Sequence, residues 1–167
     1  MIAPDSVHRG AGWQSHDILR PRQQGLGGVS PILPVTVTPP PWVSETLAGP
    51  VPELSGYAAV DTGSAHSCVD VDVMAALGLE PCGSRRAKGM HSKQILPYPL
   101  YAATLRFPGS RVADLILADF VGVHLEWEAD QEIPGKPIIV LLGRAALLGY
   151  TVIIDGPTSS ITLIGRT

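Results

Sequence analysis

Gly56-Tyr57-Ala58-Ala59-Val60-Asp61-Thr62-Gly63-Ser64 is the stretch on which the fold turns. Its first five residues are uncharged and mostly apolar, as in a buried strand, and they run straight into an acid on a Gly-containing turn. Such a position holds a carboxylate rigidly in a region of low dielectric. Thr62 is placed to lock the turn through its hydroxyl, and Gly63 lets another backbone approach closely. The competing reading is an Asp that only caps the amides of its own turn.

Working outward, Asp70 to Gly78 has helical character: Val69, Val73 and Leu77 recur at four-residue spacing, with Gly78 as a C-terminal stop. Upstream, Ile32-Leu33-Pro34-Val35-Thr36-Val37 reads as a short strand stopped by Pro39-Pro40-Pro41, expected at a sheet edge. Residues 42–55 read as an irregular connection. Downstream come two extended arms, 85–91 and 92–97, around Gly89-Met90-His91-Ser92. Segments 100–107 and 111–120 flank the turn Pro108-Gly109-Ser110. A polar stretch over 122–137 precedes Ile138-Ile139-Val140-Leu141-Leu142, a continuous apolar strand. Gly143-Arg144 and a helical turn over Ala145 to Leu148 follow it. A hairpin, 151–154 with 160–164 around Asp155-Gly156-Pro157, closes the chain. The pattern predicts an all-β domain over 31–167 with six to eight strands and one or two short helices. Residues 1–30, rich in Gly, Gln, Arg and Ser, read as a flexible leader.

Composition narrows the function classes. Apolar residues make up 45% of the chain, enough for a core, and the 18 Gly and 16 Pro suit many short strands and turns. The net charge is −3 and no basic run exceeds Arg85-Arg86, so no nucleic-acid surface is expected. No run of apolar residues is long enough to span a membrane, and no apolar segment near the start reads as a secretory signal; a cytoplasmic location is expected. Cys68 and Cys82 are expected as free thiols rather than a disulfide. The five His show no ligand spacing, so neither a metal nor a cofactor is expected.

The Asp-Thr-Gly turn and the later Ile138-Ile139-Val140-Leu141-Leu142-Gly143-Arg144 segment occur in the order found in retroviral-type aspartic proteases, the retropepsins. The chain resembles that family over roughly residues 32–165, with about 80 residues between Asp61 and Gly143. The helix after the triplet and the closing hairpin look like its bacterial and transposon-derived single-domain members. The resemblance implies a retropepsin-like acid protease half-barrel, with Asp61 as catalytic acid. It also implies that Thr62 braces paired loops across a dimer and that Gly63 offers its carbonyl to a substrate backbone. Ala65, with Gly89, Met90 and His91 in the position of the family's flap, would contact substrate, and Gly143 and Arg144 would buttress the active-site loop. The sequence departs from the viral pattern at Ala65, where an acid usually pairs with the Arg after the buttress Gly, and at Ala145. Arg144 is therefore expected to find another acceptor, either backbone carbonyls or a different carboxylate.

Peptide hydrolysis of this kind uses two carboxyls sharing one proton: one activates a water, the other polarises the scissile carbonyl. This chain has one Asp-Thr-Gly, and Asp155-Gly156 reads as a hairpin turn rather than a second acid. The expectation is an aspartic endopeptidase working as a homodimer on peptide or protein substrates. The alternative keeps the fold and drops the chemistry, leaving an inactive module that dimerises or binds peptides.

Overall fold

The computed structural model describes residues 31–88, 94–110, 112–125, 137–155 and 161–165, and the backbone alone of 13–14 and 160. The strands are β1 (Trp13–Gln14), β2 (Ile32–Thr38), β3 (Leu54–Val60), β4 (Cys68–Asp70), β5 (Gly83–Lys88), β6 (Ile95–Arg106), β7 (Leu115–Val123), β8 (Ile138–Leu142), β9 (Tyr150–Asp155) and β10 (Ser160–Gly165). Among the described residues three short helices interrupt them: α1 (Pro41–Ser44), α2 (Val71–Ala76) and α3 (Arg144–Leu147). The predicted all-β class is the observed one.

Seven strands form one sheet in the order β2-β3-β8-β4-β7-β6-β5, and an additional β2–β6 pairing closes it on itself. A smaller sheet, β1-β10-β9, stands beside it. The long β6 makes closure possible. Its first half pairs with β5 (Gly83↔Leu100 to Lys88↔Ile95) and its last residues pair with β2 (Thr36↔Arg106 to Thr38↔Thr104).

Placing β2 at a sheet edge is therefore incorrect. The proline run does end the strand, but it says nothing about the strand's flanks. β2 pairs with β3 along Ile32 to Val37 and with β6 at its far end. Leu33, Val35 and Val37 on one side and Ile32, Thr36 and Thr38 on the other are all buried, as expected of an interior strand. The sequence also makes Ser160 to Ile164, with Ile32 to Val37, a natural candidate for an edge strand in an intersubunit sheet, but β10 is not an edge, because it lies between β1 and β9. Within the stretch read as a leader, Trp13–Gln14 pairs with Ile161 and Ser160. Helix α1 falls where an irregular connection was expected; Pro41 occupies its first turn, where the missing N–H costs nothing.

The core joins Leu33, Val35 and Val37 to Val60, Met74, Leu105, Phe120, Val140 and Leu142, with Ile161 and Leu163 from the smaller sheet. Helix α2 follows its sequence signals closely. Asp70 caps its start by accepting from Asp72 N–H at 2.8 Å, and Met74 points into the core. Gly78, at φ 68°, lets Gly78 N–H reach Ala75 O and Leu79 N–H reach Met74 O, so the last carbonyls are satisfied.

Candidate active site

β3 and β8 run parallel, with Ala58, Ala59 and Val60 beside Val140, Leu141 and Leu142. Parallel neighbours end at the same height, so the turn after β3 and the turn after β8 meet. Asp61 is the first residue past β3, and its N–H continues the ladder to Leu142 O at 2.9 Å. Beyond that point Arg144 N–H donates to Ser64 O at 2.9 Å, and Ala145 N–H donates to Ala65 O at 3.2 Å.

The half-buried Asp61 is oriented by its own turn. Its Oδ1 accepts from Gly63 N–H at 2.8 Å and from Ser64 N–H at 3.2 Å. Oδ2 has no hydrogen-bond partner among the described residues. The expectation that the Thr62 hydroxyl locks the turn is not met. Thr62 is exposed, its hydroxyl has no hydrogen-bond partner among the described residues, and the carboxylate with two backbone amides closes the turn instead.

Arg144 replaces its missing acidic partner with backbone. One nitrogen, Nη1, donates to Thr62 O at 2.8 Å and to Gly63 O at 3.0 Å. Of the two kinds of acceptor left open for Arg144, Nη1 uses backbone carbonyls. As a result the Gly63 carbonyl, which the family resemblance reserves for substrate, already accepts a hydrogen bond within the chain.

Gly143 is required by close approach. A Cβ there would overlap the His66 carbonyl oxygen and stand 2.5 Å from its carbon and 3.1 Å from Ser64 O. Its N–H donates to Ser67 Oγ at 3.1 Å, and Ser67 is buried. Ser64 Oγ donates to His66 O at 2.7 Å. The loop over 61–67 is thus tied to the turn after β8 at almost every residue. Neither Ser67 nor its role could be read from the sequence, because a serine before a strand carries no distinguishing pattern.

Two further groups surround the loop. Arg85, on β5, places Nη1 2.6 Å from Nδ1 and 3.0 Å from Nε2 of His66, and its Nη2 lies 3.5 Å from Asp119 Oδ2 on β7. This links the β5–β6 hairpin to the loop after Asp61. Cys68 and Cys82 are free thiols. Burial, and then the charge of Asp61, push the Cys68 thiol up to about 11.

Asp61, Thr62, Gly63, Ala65, Gly143 and Arg144 are therefore gathered at one place. Ala65 is exposed beside Ala145. The arms expected around the flap exist as β5 and the first half of β6, but Gly89, Met90 and His91 lie outside the described residues. Among the described residues no group of His, Cys, Asp and Glu is arranged to hold a metal, and no helix is long and apolar enough to cross a membrane.

No family model matches the chain, and no curated protein matches it. Among solved structures it is similar to the retroviral protease-like domain of Ddi1 from Leishmania major. That match has 11% identity and a TM-score of 0.40, and covers 81% of this chain and 93% of the other.

Proposed function

We propose that this chain is a retropepsin-like aspartic endopeptidase that forms its catalytic pair of carboxyls from Asp61 of two identical subunits. The observation that carries the proposal is the interlock of the two turns. Asp61 is fixed at the end of an interior strand, its Oδ1 held by two amides and its Oδ2 unpartnered among the described residues. The Gly143-Arg144 turn clamps the loop behind it. A turn Asp serving only as a local cap needs no such second turn.

In the proposed reaction the two Asp61 carboxyls share one proton. The ionised member takes a proton from a water that attacks the peptide carbonyl, and the protonated member polarises that carbonyl. The substrate is an extended peptide, hydrogen-bonded like an added strand, with the β5–β6 hairpin over it. Exposure of Thr62 and Gly63 suits a loop that meets its own copy across a two-fold axis.

One observation favours the rival, a module that dimerises or binds peptides without cutting them: Arg144 holds the Gly63 carbonyl at 3.0 Å. A peptide library assayed at mildly acidic pH separates the two. Asp61→Asn keeps an Oδ1 acceptor for Gly63 and Ser64, so the fold is retained while cleavage disappears. Equal inertness of wild type and Asp61→Asn would favour the binding module.

A further inference from the structure

β5 reads Gly83-Ser84-Arg85-Arg86-Ala87-Lys88, three cations and no acid, and the half of β6 that pairs with it, Ile95 to Leu100, is uncharged. Directly opposed residues of an antiparallel pair share a side, so Arg85 and Ala87 line one side of this hairpin together with Tyr98 and Leu96. Arg86 and Lys88 belong to the other side and are exposed. The side with Arg85 is the one turned to the active-site loop, because its Nη1 lies 2.6 Å from Nδ1 and 3.0 Å from Nε2 of His66. A guanidinium stays charged and only donates, so His66 is the acceptor of this pair and holds the guanidinium in place. The rest of the cation is available. Nη2 has a loose contact with Asp119 at 3.5 Å, between side chains 33% and 45% exposed, where an ion pair is weak. Nε has no hydrogen-bond partner among the described residues. A fixed guanidinium with donors to spare is suited to a carboxylate.

We propose that Arg85, held by His66, is a specificity-determining residue that selects peptides carrying Glu or Asp near the cleaved bond. The inference rests on the reading above, in which an extended peptide lies between the β5–β6 hairpin and the Asp61 loop. Arg85 joins that hairpin to that loop, so a peptide between them passes its guanidinium. Alternate side chains of an extended peptide turn to the hairpin. They meet Ala87 and Leu96 toward its tip and Arg85 farther down the strands. An acidic side chain there gains a charge-assisted, bidentate pair and displaces the loose Asp119 contact, while a basic one is repelled. The attraction is local. The chain as a whole carries −3 and repels acidic peptides, so a preference for them must come from this strand. In a two-fold dimer each subunit brings one Arg85, and an acid is then favoured on both sides of the cut bond at the same spacing.

The test takes matched peptides with Glu, Gln or Lys at each position flanking the cut. kcat and KM are measured for wild type, Arg85→Gln, Arg85→Lys and Arg86→Gln, with melting curves on the same samples. Wild type should favour Glu over Gln by at least about tenfold in kcat/KM at one position on each side, carried by KM. Arg85→Gln should lose that preference, Arg85→Lys should keep part of it, and Arg86→Gln, on the outer side, should keep all of it. The same peptides, fluorescently labelled, are titrated against Asp61→Asn by anisotropy, which reads the preference without cleavage. A wild type that cleaves Glu and Gln peptides alike would overturn the specificity and leave the protease standing. So would a preference that survives Arg85→Gln, or one that Arg86→Gln removes equally. If wild type cuts nothing, yet Asp61→Asn binds Glu peptides at least about tenfold more tightly and loses this on adding Arg85→Gln, the endopeptidase reading fails and Arg85 stands as the reader of acidic peptides. Neither cleavage nor binding of any peptide would overturn both. Should Arg85→Gln fail to fold, Arg85→Lys decides: a Glu preference that does not narrow there refutes the proposal.

Discussion

Gly143→Ala probes the contact that joins the two turns. The added Cβ would overlap the His66 carbonyl and come to 2.5 Å from its carbon, where real Cβ contacts stay beyond 3.0 Å. The opposing atoms are backbone, so no rotamer change relieves the overlap, and the loop over 61–67 must move. Overpacking of this kind costs roughly 1–3 kcal/mol. The shift also strains the bonds Gly143 N–H to Ser67 Oγ, Arg144 N–H to Ser64 O and Ala145 N–H to Ala65 O, each worth about 0.5–1.5 kcal/mol net. A loss of about 3 kcal/mol is expected, or about 6–12 °C in melting temperature for a domain of this size. Because Asp61 sits on the displaced loop, the proposed peptide cleavage should fall by about 100-fold or more even in the folded fraction. Gly149→Ala is the control. It lies six residues later, a Cβ there meets nothing within 4 Å, and its φ is not positive, so it should be neutral or slightly stabilising. Thermal denaturation by circular dichroism reads both. A Gly143→Ala protein melting within about 2 °C of wild type would refute the interlock as drawn.

Four other outcomes follow from particular residues. Arg144→Met removes the hydrogen bonds to Thr62 O and Gly63 O and should cost about 1–2 kcal/mol in chemical denaturation, with Arg144→Lys recovering part of it. Thr104 is buried and its Oγ1 has no hydrogen-bond partner among the described residues, so Thr104→Val should stabilise the fold by about 1 kcal/mol, read as a higher denaturant midpoint. Burial and then Asp61 raise the Cys68 thiol from an ordinary 9.0 to about 11; a thiol reagent at pH 8 should modify exposed Cys82 first, and Asp61→Asn should speed modification of Cys68. The sign of that shift gives a pH dependence too. The fold favours the protonated thiol, so its contribution is intact below pH 9 and lost as pH rises through about 11, and Cys68→Ala should flatten alkaline unfolding there.

Most of what could be read early came from features that act locally. The strand into Asp61, the capped and Gly-terminated α2, the turn after Phe107 and the apolar β8 each depend on the chemistry of a few consecutive residues, and each is found in place. Local chemistry misleads where the answer depends on a distant segment. Proline stops β2, but only the last residues of β6, far along the chain, decide that β2 is an interior strand. Thr62 looked like the lock of its turn because a hydroxyl stands next to a carboxylate in sequence, whereas the geometry gives that task to two amides. Ser67 and Arg85 carried no signal at all, since their partners, Gly143, His66 and Asp119, are brought to them only by folding.

The sequence by itself therefore determined the all-β class, the order of most elements and the position of one acid on a turn after a buried strand. Period-two patterning, Gly and Pro placement and capping residues are properties of neighbours, and neighbours are what a linear sequence records. Tertiary structure alone decided that the turns after β3 and β8 interlock, that Arg144 finds backbone in place of a carboxylate, and that β2 is an interior strand. Those outcomes follow from parallel pairing of strands about 80 residues apart and from sheet closure through β2 and β6. Such pairings are fixed by register and by the exclusion of atoms from the same space, and neither is written in any one stretch of the chain.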